Sequence, residues 1–314
     1  MNICIYLSYS GLGANLMHLA YCHQIAKKYG PVTIITLNNN LKKSLEDDPL
    51  IKDIVELNKN YKKLKDILKL SKFLKGFNFD KIFIFYPSLR ISIASKIAGI
   101  KEIKSYPFYK KKNLHLVNQA KSFTEKVLGI QDCDTETKFF ISKNKTDLIK
   151  NHFKSENCNV VIGAGSSGPS TKWGSENYSK LINKLNQKNK FFFFILCGKD
   201  EDFIAEEIMS KIKNKNCISL SKKNIDEVIP YLSLCDLYVG NDSFGHHVTS
   251  QCGIPSIILM LDTPRAYSDY SKNQYRMLPT NAKLDDIKHD SFFPPESINV
   301  ESVFNKIIQI KNVK

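Results

Sequence analysis

The stretch NVVIGAGSSGPSTKW, residues 159–173, places a strand-like apolar run directly before a loop of small and hydroxyl-bearing residues. Its first part, residues 159–162, is typical of a strand that is buried on both faces of a parallel sheet. Open parallel sheets bind ligands beyond the carboxyl ends of their strands. The stretch therefore predicts an α/β fold with a ligand-binding loop in the second half of the chain.

Around this stretch, strand and helix patterns alternate along both halves of the chain. Strands that are separated by helices of ordinary length indicate βαβ units and parallel sheets. The predicted strands are residues 2–7, 32–37, 52–57 and 81–86 in the first half and 159–162, 191–196, 217–220, 236–239 and 256–260 in the second.

The polar stretch 142–159 predicts the junction between two domains. We expect Rossmann-like domains over residues 1–150 and 151–295, with parallel sheets that face a central cleft. A final helical segment, residues 296–314, is expected to pack back on the first domain.

The composition is that of a globular protein, with 42% hydrophobic and 25% charged residues. No apolar run reaches the roughly 18–20 residues of a membrane span. The N-terminus lacks the basic and apolar regions of a signal peptide, so the protein is expected in the cytoplasm. The eight cysteines are scattered without a C-x-x-C pair, which favours reduced, buried thiols over disulfides or a zinc site.

The formal net charge of +15 favours an anionic partner, either nucleic acid, an anionic membrane surface or a phosphorylated substrate. No nucleic-acid-binding module accompanies the charge, so nucleic acid is disfavoured as a partner. A Lys-rich helix over residues 61–75 is either a solvated surface or a docking surface for anionic lipid, which Lys110, Lys111 and Lys112 could extend.

The loop 163–172 has the composition of a phosphate site. Small residues let the backbone approach a phosphate, hydroxyl groups donate hydrogen bonds, and Lys172 supplies a positive charge. The loop therefore predicts contact with a phosphorylated ligand.

The same loop also contains the dinucleotide fingerprint G-x-G-x-x-G, at Gly163, Gly165 and Gly168. That motif requires a helix to begin inside it, whereas Pro169 and further loop residues follow here. No acidic residue stands about 20 residues later at a strand end. We therefore expect neither NAD nor any other bound cofactor.

A second candidate cluster, residues 240–247, follows the predicted strand 236–239. Asp242 or Ser243 can cap a helix whose N-terminus favours anions. His246 and His247 would lie in its first turn, where they would either donate to a diphosphate or serve as structural side chains.

Three motifs follow one another in the second half of the chain. They are Ser170-Thr171-Lys172-Trp173-Gly174, Gly198-Lys199-Asp200-Glu201 and Asp242-Ser243-Phe244-Gly245-His246-His247, the last followed by Gly253-Ile254-Pro255. In these motifs and their order, residues 160–265 resemble glycosyltransferase family 9, the lipopolysaccharide heptosyltransferases and their relatives. The chain departs from the family at Gly174, where the family has Pro, and at Phe244, where the family has Gly.

The resemblance implies a GT-B glycosyltransferase with an acceptor-binding N-terminal domain and a C-terminal domain that binds a nucleotide sugar. In such an enzyme the hydroxyl residues and Lys172 would hold the donor diphosphate, and Glu201 would hydrogen-bond the ribose. Trp173 is expected to pack in the core. The residues expected at the donor are Gly13, Ser170, Thr171, Lys172, Glu201, Asp242, Ser243, His246 and His247.

The first loop, residues 10–15, departs from the family at the proposed general base, because Ala14 stands where the family has Asp. Asn15 cannot act as a base. His18 is the nearest titratable replacement, or alternatively a packed helix residue. Lys172 could stabilise the diphosphate leaving group electrostatically. His18, Asn15 and Lys172 are thus the candidate catalytic residues.

Glycosyltransferases of the GT-A type hold a divalent metal with Asp-x-Asp. The string Asp132-Cys133-Asp134 fits that pattern, but it follows a helix in a polar stretch. We interpret it as a surface coincidence and expect no metal.

The concrete expectation is an inverting, metal-independent glycosyltransferase. It would move a heptose or similar sugar from a nucleoside-diphosphate donor to a lipopolysaccharide or other surface-glycan acceptor. The alternative is a degenerate sugar-nucleotide-binding protein without turnover, for which Ala14 is the evidence.

Overall fold

A computed structural model of the chain describes residues 1–58, 61, 63–107, 116–166, 172–188, 190–288, 291 and 293–311. The chain divides into two compact units, Met1–Phe140 and Ile141–Lys314. The division falls after Phe140, earlier than the predicted boundary at residue 150.

The first unit is built on a parallel sheet whose strand order is β3-β2-β1-β4-β5. Its strands are β1 (Ile3–Leu7), β2 (Val32–Thr36), β3 (Ile51–Glu56), β4 (Lys81–Ile84) and β5 (Glu102–Ser105). Its helices are α1 (Leu12–Leu16), α2 (Leu19–Tyr29), α3 (Leu41–Ser44), α4 (Asp66–Lys75), α5 (Leu89–Ile97) and α6 (Leu116–Leu128). The central strands β1, β2 and β4 are buried at every position, as their apolar sequences predict.

The second unit is built on a parallel sheet whose strand order is β11-β10-β9-β6-β7-β8. Its strands are β6 (Cys158–Gly163), β7 (Phe191–Leu196), β8 (Cys217–Ser219), β9 (Leu237–Asn241), β10 (Ser256–Leu259) and β11 (Gln274–Met277). Its helices are α7 (Lys143–Asp147), α8 (Ser175–Asn186), α9 (Asp202–Lys211), α10 (Ile225–Leu234), α11 (Phe244–Gln251) and α12 (Val300–Lys311).

Each sheet has the strand order of a Rossmann fold, in which the chain starts at the centre, runs to one edge and then crosses to the other side. The switch point lies between β1 and β4 in the first unit and between β6 and β9 in the second. The predicted α/β class with two parallel sheets is therefore confirmed. That the two sheets face a common cleft stays a prediction.

The C-terminal helix α12 is part of the second unit, although the sequence suggested a separate segment that returns to the first domain. Val303 and Ile307 of α12 are fully buried in the same core cluster as Trp173, and the helix packs on α8. The buried face of α12 thus belongs to the core of the second unit.

All eight cysteines are free, and each is buried or half-buried, as predicted for reduced thiols. Burial raises the pKa of the Cys133 and Cys197 thiols to about 11, so these groups are protonated at neutral pH. Among the described residues, no helix combines the length and the apolar content that a membrane span requires.

Candidate functional site

The carboxyl ends of β6 and β9 form the centre of the candidate site. These strands are neighbours at the switch point, where Gly163 of β6 pairs with Gly240 of β9. A Cβ atom at Gly240 would lie 2.5 Å from the carbonyl oxygen of Gly163, so no side chain fits there. Glycine therefore lets the two strand ends approach closely, and the loops that follow them begin side by side.

Asn241, the last residue of β9, ties these loops together. Its Nδ2 donates to the carbonyl oxygen of Ala164 at 2.8 Å. Its Oδ1 accepts from the backbone N–H of Trp173 at 3.1 Å and from the Tyr178 hydroxyl at 3.2 Å. The amide thus fixes the chain before and after residues 167–171. The predicted diphosphate ligands Ser170 and Thr171 belong to that segment and lie outside the described residues.

Trp173 packs in the core, as predicted. It is fully buried, its Nε1 donates to the carbonyl oxygen of Ile298 at 2.8 Å, and its ring meets that of Tyr178 edge to face. Gly174 then takes a φ of 89° as the residue that precedes α8. Proline, fixed near −65°, cannot adopt this conformation. Glycine at residue 174 therefore allows an entry into α8 that proline could not take.

Lys172 and Glu201 form an ion pair in this region, with Nζ 2.5 Å from Oε1. Glu201 lies just before α9, after β7, and its Oε2 also accepts from the backbone N–H of Gly198 at 3.2 Å. The Lys172 side chain is 32% exposed and that of Glu201 is 17% exposed. Both groups thus remain accessible to a ligand, and an ion pair this exposed adds little to stability.

Asp242 and Ser243 follow β9 directly. Thr263 donates to Oδ2 of Asp242 at 3.3 Å, and the Asp242 side chain is 21% exposed. Ser243 occupies the N-cap position of α11, but its side chain makes no capping hydrogen bond. Its hydroxyl instead bonds to the buried Tyr238 hydroxyl at 3.0 Å. Of the two caps that the sequence offered, Ser243 therefore does not cap α11 with its side chain, because its hydroxyl is bonded to Tyr238.

His246 and His247 lie in the first turn of α11, as predicted, but both are buried. The Nε2 of His246 lies 2.5 Å from Asp242 Oδ1, and Gln274 bonds to its Nδ1 at 3.3 Å. The Nδ1 of His247 bonds to the Tyr270 hydroxyl at 2.6 Å. Burial, reinforced by the neighbouring His246, holds the pKa of His247 well below its usual range. Both rings are thus hydrogen-bonded to side chains of the protein, and a contact with a diphosphate stays a prediction.

Asp242, His246 and His247 offer three potential metal-ligand atoms that lie within 4.8 Å of one another. Ligands that share a zinc ion at about 2.0–2.1 Å are separated from each other by more than a hydrogen-bond contact. The 2.5 Å between Asp242 Oδ1 and His246 Nε2 is such a contact. The geometry of this cluster is thus that of a hydrogen-bonded network.

The string Asp132-Cys133-Asp134 lies in the first unit, after α6. Its central Cys133 is buried, with its backbone N–H bonded to Glu125 Oε1 at 3.0 Å, whereas the Asp132 side chain is fully exposed. That this string holds no metal stays a prediction.

In the first unit, Asn15 shapes the loop that follows β1. Its Nδ2 donates to the carbonyl oxygens of Tyr9 and Gly11 at 3.1 and 2.7 Å, and its Oδ1 accepts from Thr36 at 2.7 Å. The buried amide of Asn15 thus holds the loop together and joins it to the end of β2. Gly13 lies in the short helix α1, where its carbonyl oxygen accepts from the Met17 backbone.

His18 separates α1 from α2 and is 1% exposed. Its Nδ1 donates to the carbonyl oxygen of Ala14 at 2.7 Å, its ring stacks on Tyr9, and Phe85 meets it edge to face. Among the residues that the structure describes, the buried Nε2 has no hydrogen-bond partner. Burial lowers the pKa of His18 from 6.5 to about 4. The burial and the ring contacts of His18 are those of a packed helix residue. Its catalytic role stays a prediction.

The sequence did not single out Asn241, Gln274 or Tyr270, which the structure places at the site. Asn241 immediately precedes the third motif, where an amide is easily taken for a turn residue. Gln274 and Tyr270 come from a segment without a motif, so the sequence carried no signal for them.

Comparison with known proteins identifies the family. Residues 88–293 match glycosyltransferase family 9 (heptosyltransferase), and the chain belongs to this family. Lipopolysaccharide heptosyltransferase 1 of Campylobacter coli is 29% identical over 174 residues, which cover 54% of this chain and 48% of that protein. The chain thus spans about half the length of this curated relative.

Solved structures with the same fold cover nearly the whole chain. A family 9 glycosyl transferase of Veillonella parvula has a TM-score of 0.78 at 16% identity, over 98% of this chain and 96% of that one. E. coli ADP-heptose lps heptosyltransferase II has a TM-score of 0.71 at 14% identity, over 99% and 100%. E. coli heptosyltransferase WaaC, solved with ADP, has a TM-score of 0.71 at 14% identity, over 98% and 99%.

The variant Asn241→Leu is expected to lower the free energy of unfolding by about 3 kcal/mol, because it leaves buried polar partners unsatisfied. Urea unfolding followed by circular dichroism measures this loss. Asn144→Leu, at an exposed position of α7, is the matched control and should change stability little. Equal effects of the two variants would contradict the role given to Asn241.

The low pKa of His18 predicts an acid-sensitive contribution to stability. The folded state resists a proton that the unfolded chain accepts, so this contribution is present above pH 6.5 and declines as the pH falls towards 4. Comparing urea unfolding near pH 7 and near pH 4.5, His18→Gln should lose about 3 kcal/mol less than the wild type. His152→Gln, at a half-buried imidazole, is the control. An unchanged pH dependence in His18→Gln would refute the assignment.

Proposed function

We propose that the chain is an inverting, metal-independent glycosyltransferase that moves a heptose or similar sugar from a nucleoside diphosphate to a lipopolysaccharide or other surface-glycan acceptor. The observation that carries the proposal is the convergence of Lys172, Glu201 and Asp242 beyond β6, β7 and β9 in a chain of glycosyltransferase family 9. Three of its relatives support the sugar and the acceptor class. Two are named as lipopolysaccharide heptosyltransferases, and a third is a heptosyltransferase solved with ADP.

In this proposal Lys172 supplies the cation for the donor diphosphate, and the loop before it supplies small residues and hydroxyl groups. Glu201 accepts a hydrogen bond from a ribose hydroxyl. Asp242 and Ser243 complete the pocket. Asn241 positions the chain next to Lys172 through the backbone of Trp173.

The transfer forms a bond between an acceptor hydroxyl oxygen and the anomeric carbon, on the face opposite the leaving group. The bond between that carbon and the diphosphate oxygen breaks, and its electron pair leaves with the nucleoside diphosphate. The hydroxyl proton passes to a base. Lys172 stabilises the negative charge that develops on the diphosphate, which is the larger part of the catalysis that these residues can offer.

His18 is the candidate base. His18 presents a lone pair at Nε2, because its Nδ1 proton is donated to Ala14, but the ring is enclosed and its pKa is about 4. A base is most effective when its pKa lies near the working pH. This observation favours the second candidate function, a donor-binding protein without turnover.

A membrane-bound acceptor would suit the surface formed by α4 and α5. Both helices pack on the same face of the first sheet through Leu70, Leu74 and Ile91, so their other sides face outward. Exposed apolar side chains on this surface are Leu64, Leu68, Leu89, Ile93 and Ile97. The exposed lysines around them are Lys63, Lys65, Lys69, Lys72, Lys75 and Lys96. The predicted extension, Lys110 to Lys112, lies outside the described residues.

An exposed apolar patch within a basic surface matches an anionic bilayer, which accepts the leucines and attracts the lysines. We therefore propose peripheral contact of the α4–α5 surface with the inner face of the membrane. This placement would bring the protein to a lipid-linked acceptor.

The donor site predicts a diphosphate-selective thermal shift. ADP, GDP, UDP, CDP and dTDP are tested with and without Mg²⁺, and the best of them should stabilise the wild type equally in both conditions. Lys172→Ala should weaken its affinity about tenfold to a hundredfold, the worth of a lost charge-assisted hydrogen bond.

Lys180→Ala, at an exposed lysine of α8, is the matched control and should bind as the wild type does. A shift that requires Mg²⁺ would remove metal independence from the proposal. The absence of any shift would overturn the donor site. If a diphosphate binds but the corresponding nucleotide sugars are neither transferred nor hydrolysed, the protein is the binder of the second candidate function.

The membrane proposal predicts sedimentation of the protein with vesicles of equal parts phosphatidylglycerol and phosphatidylcholine, and less with phosphatidylcholine alone. Binding should weaken with added salt. Leu68→Glu should weaken it about tenfold or more, since it removes apolar contact and adds a repelled charge. Leu148→Glu, at an exposed leucine of the second unit, is the control. Equal binding of both variants would exclude this surface.

A further inference from the structure

We propose that Gln274 is a positioning residue of the donor site, which holds His246 as the neutral tautomer with its proton on Nε2 and thereby fixes the Asp242 carboxylate. The proposal deepens the proposed function, because it rests on the assignment of Asp242 to the donor pocket.

The orientation of the Gln274 amide is set by the backbone. Oε1 accepts from the N–H of Ser271 at 3.2 Å and from the N–H of Tyr270 at 3.4 Å. Only an oxygen can accept from two N–H donors, so the NH₂ group is the one that points to His246. It lies 3.3 Å from Nδ1.

An amide NH₂ group has no lone pair to offer, so Nδ1 of His246 must present one. The proton of the neutral ring is then on Nε2, which donates to Asp242 Oδ1 at 2.5 Å. A proton on Nδ1 would point at the NH₂ group of Gln274, so that two hydrogen-bond donors would face each other. Because the ring of His246 is fully buried, water could not relieve this conflict. Both the other neutral tautomer and the imidazolium are therefore disfavoured.

The other groups that face His246 do not release this constraint. The ring of His247 lies at 3.8 Å between centroids and that of Tyr238 at 6.4 Å. Burial keeps His247 uncharged and holds the Tyr238 hydroxyl protonated, since it raises that pKa far above its usual range. The carboxylate of Asp242 is thus the charged group that His246 contacts.

The consequence for the site is a carboxylate with both oxygens anchored. His246 donates to Oδ1, Thr263 donates to Oδ2, and the side chain keeps 21% of its surface exposed. The remaining lone pairs of Asp242 point from a fixed position, which is what recognition of a hydroxyl group requires. Because the Nε2 of His246 carries a proton, it cannot also coordinate a metal ion.

The test is ¹⁵N NMR of the histidine side chains in the full-length protein, with His246→Gln used to assign the His246 signals. In the wild type near neutral pH, His246 should be the neutral form with the proton on Nε2. Gln274→Glu replaces the donor by a carboxylate acceptor and should convert His246 to the imidazolium. Gln274→Met, which only removes the donor, should release the tautomer to a mixture and serves if the Glu variant does not fold.

Gln309→Glu, at an exposed position of α12, is the matched control and should leave the His246 signals unchanged. An imidazolium or an Nδ1 proton in the wild type would overturn the proposal. An unchanged tautomer in both folded Gln274 variants would do the same. Equimolar Zn²⁺ should also leave the Nε2 proton in place, and its loss would mark a metal site instead. These NMR signals are measured without nucleotide. The absence of a thermal shift with every nucleoside diphosphate would therefore overturn the proposed donor site but would not test the tautomer of His246.

Discussion

Three hydrogen bonds of one buried amide hold the second unit's site in a single arrangement. Asn241 links the end of β6, through Ala164, to the chain that enters α8, through Trp173 and Tyr178. Trp173 in turn reaches Ile298, next to α12. The cation at Lys172 is therefore attached to the core on its carboxyl side. The candidate site is thus fastened to the core, because the hydrogen bonds that position Lys172 also satisfy buried backbone groups of Ala164 and Trp173.

Much of the fold could be predicted from the sequence, because its central strands carry unbroken apolar runs. The strands that the sequence missed, β5 and β11, lie at the edges of their sheets. Residues 102–105 alternate between exposed and half-buried, and residues 274–277 are mostly half-buried. Edge strands have one unpaired side and less to bury, so they lack the apolar pattern by which strands are predicted.

The candidate site could be predicted in part for a topological reason. Lys172, Glu201 and Asp242 follow different strands, and the carboxyl ends of parallel strands meet at one edge. The local sequence could not predict whether the side chains of His246 and His247 point into the core or towards a ligand. His246 and His247 face inward, where Gln274 of β11 and Tyr270, which precedes that strand, are hydrogen-bonded to them.

The ion pair between Lys172 and Glu201 would also affect how an anionic ligand binds and leaves. In the proposed function, a diphosphate would have to displace Glu201 from Lys172, because Oε1 of Glu201 already lies 2.5 Å from Nζ of Lys172. Glu201 would thus compete with every anion for the same cation and would weaken its binding. In the proposed transfer the nucleoside-diphosphate product keeps both phosphates of the donor, so the same competition would favour product release and limit inhibition by the product.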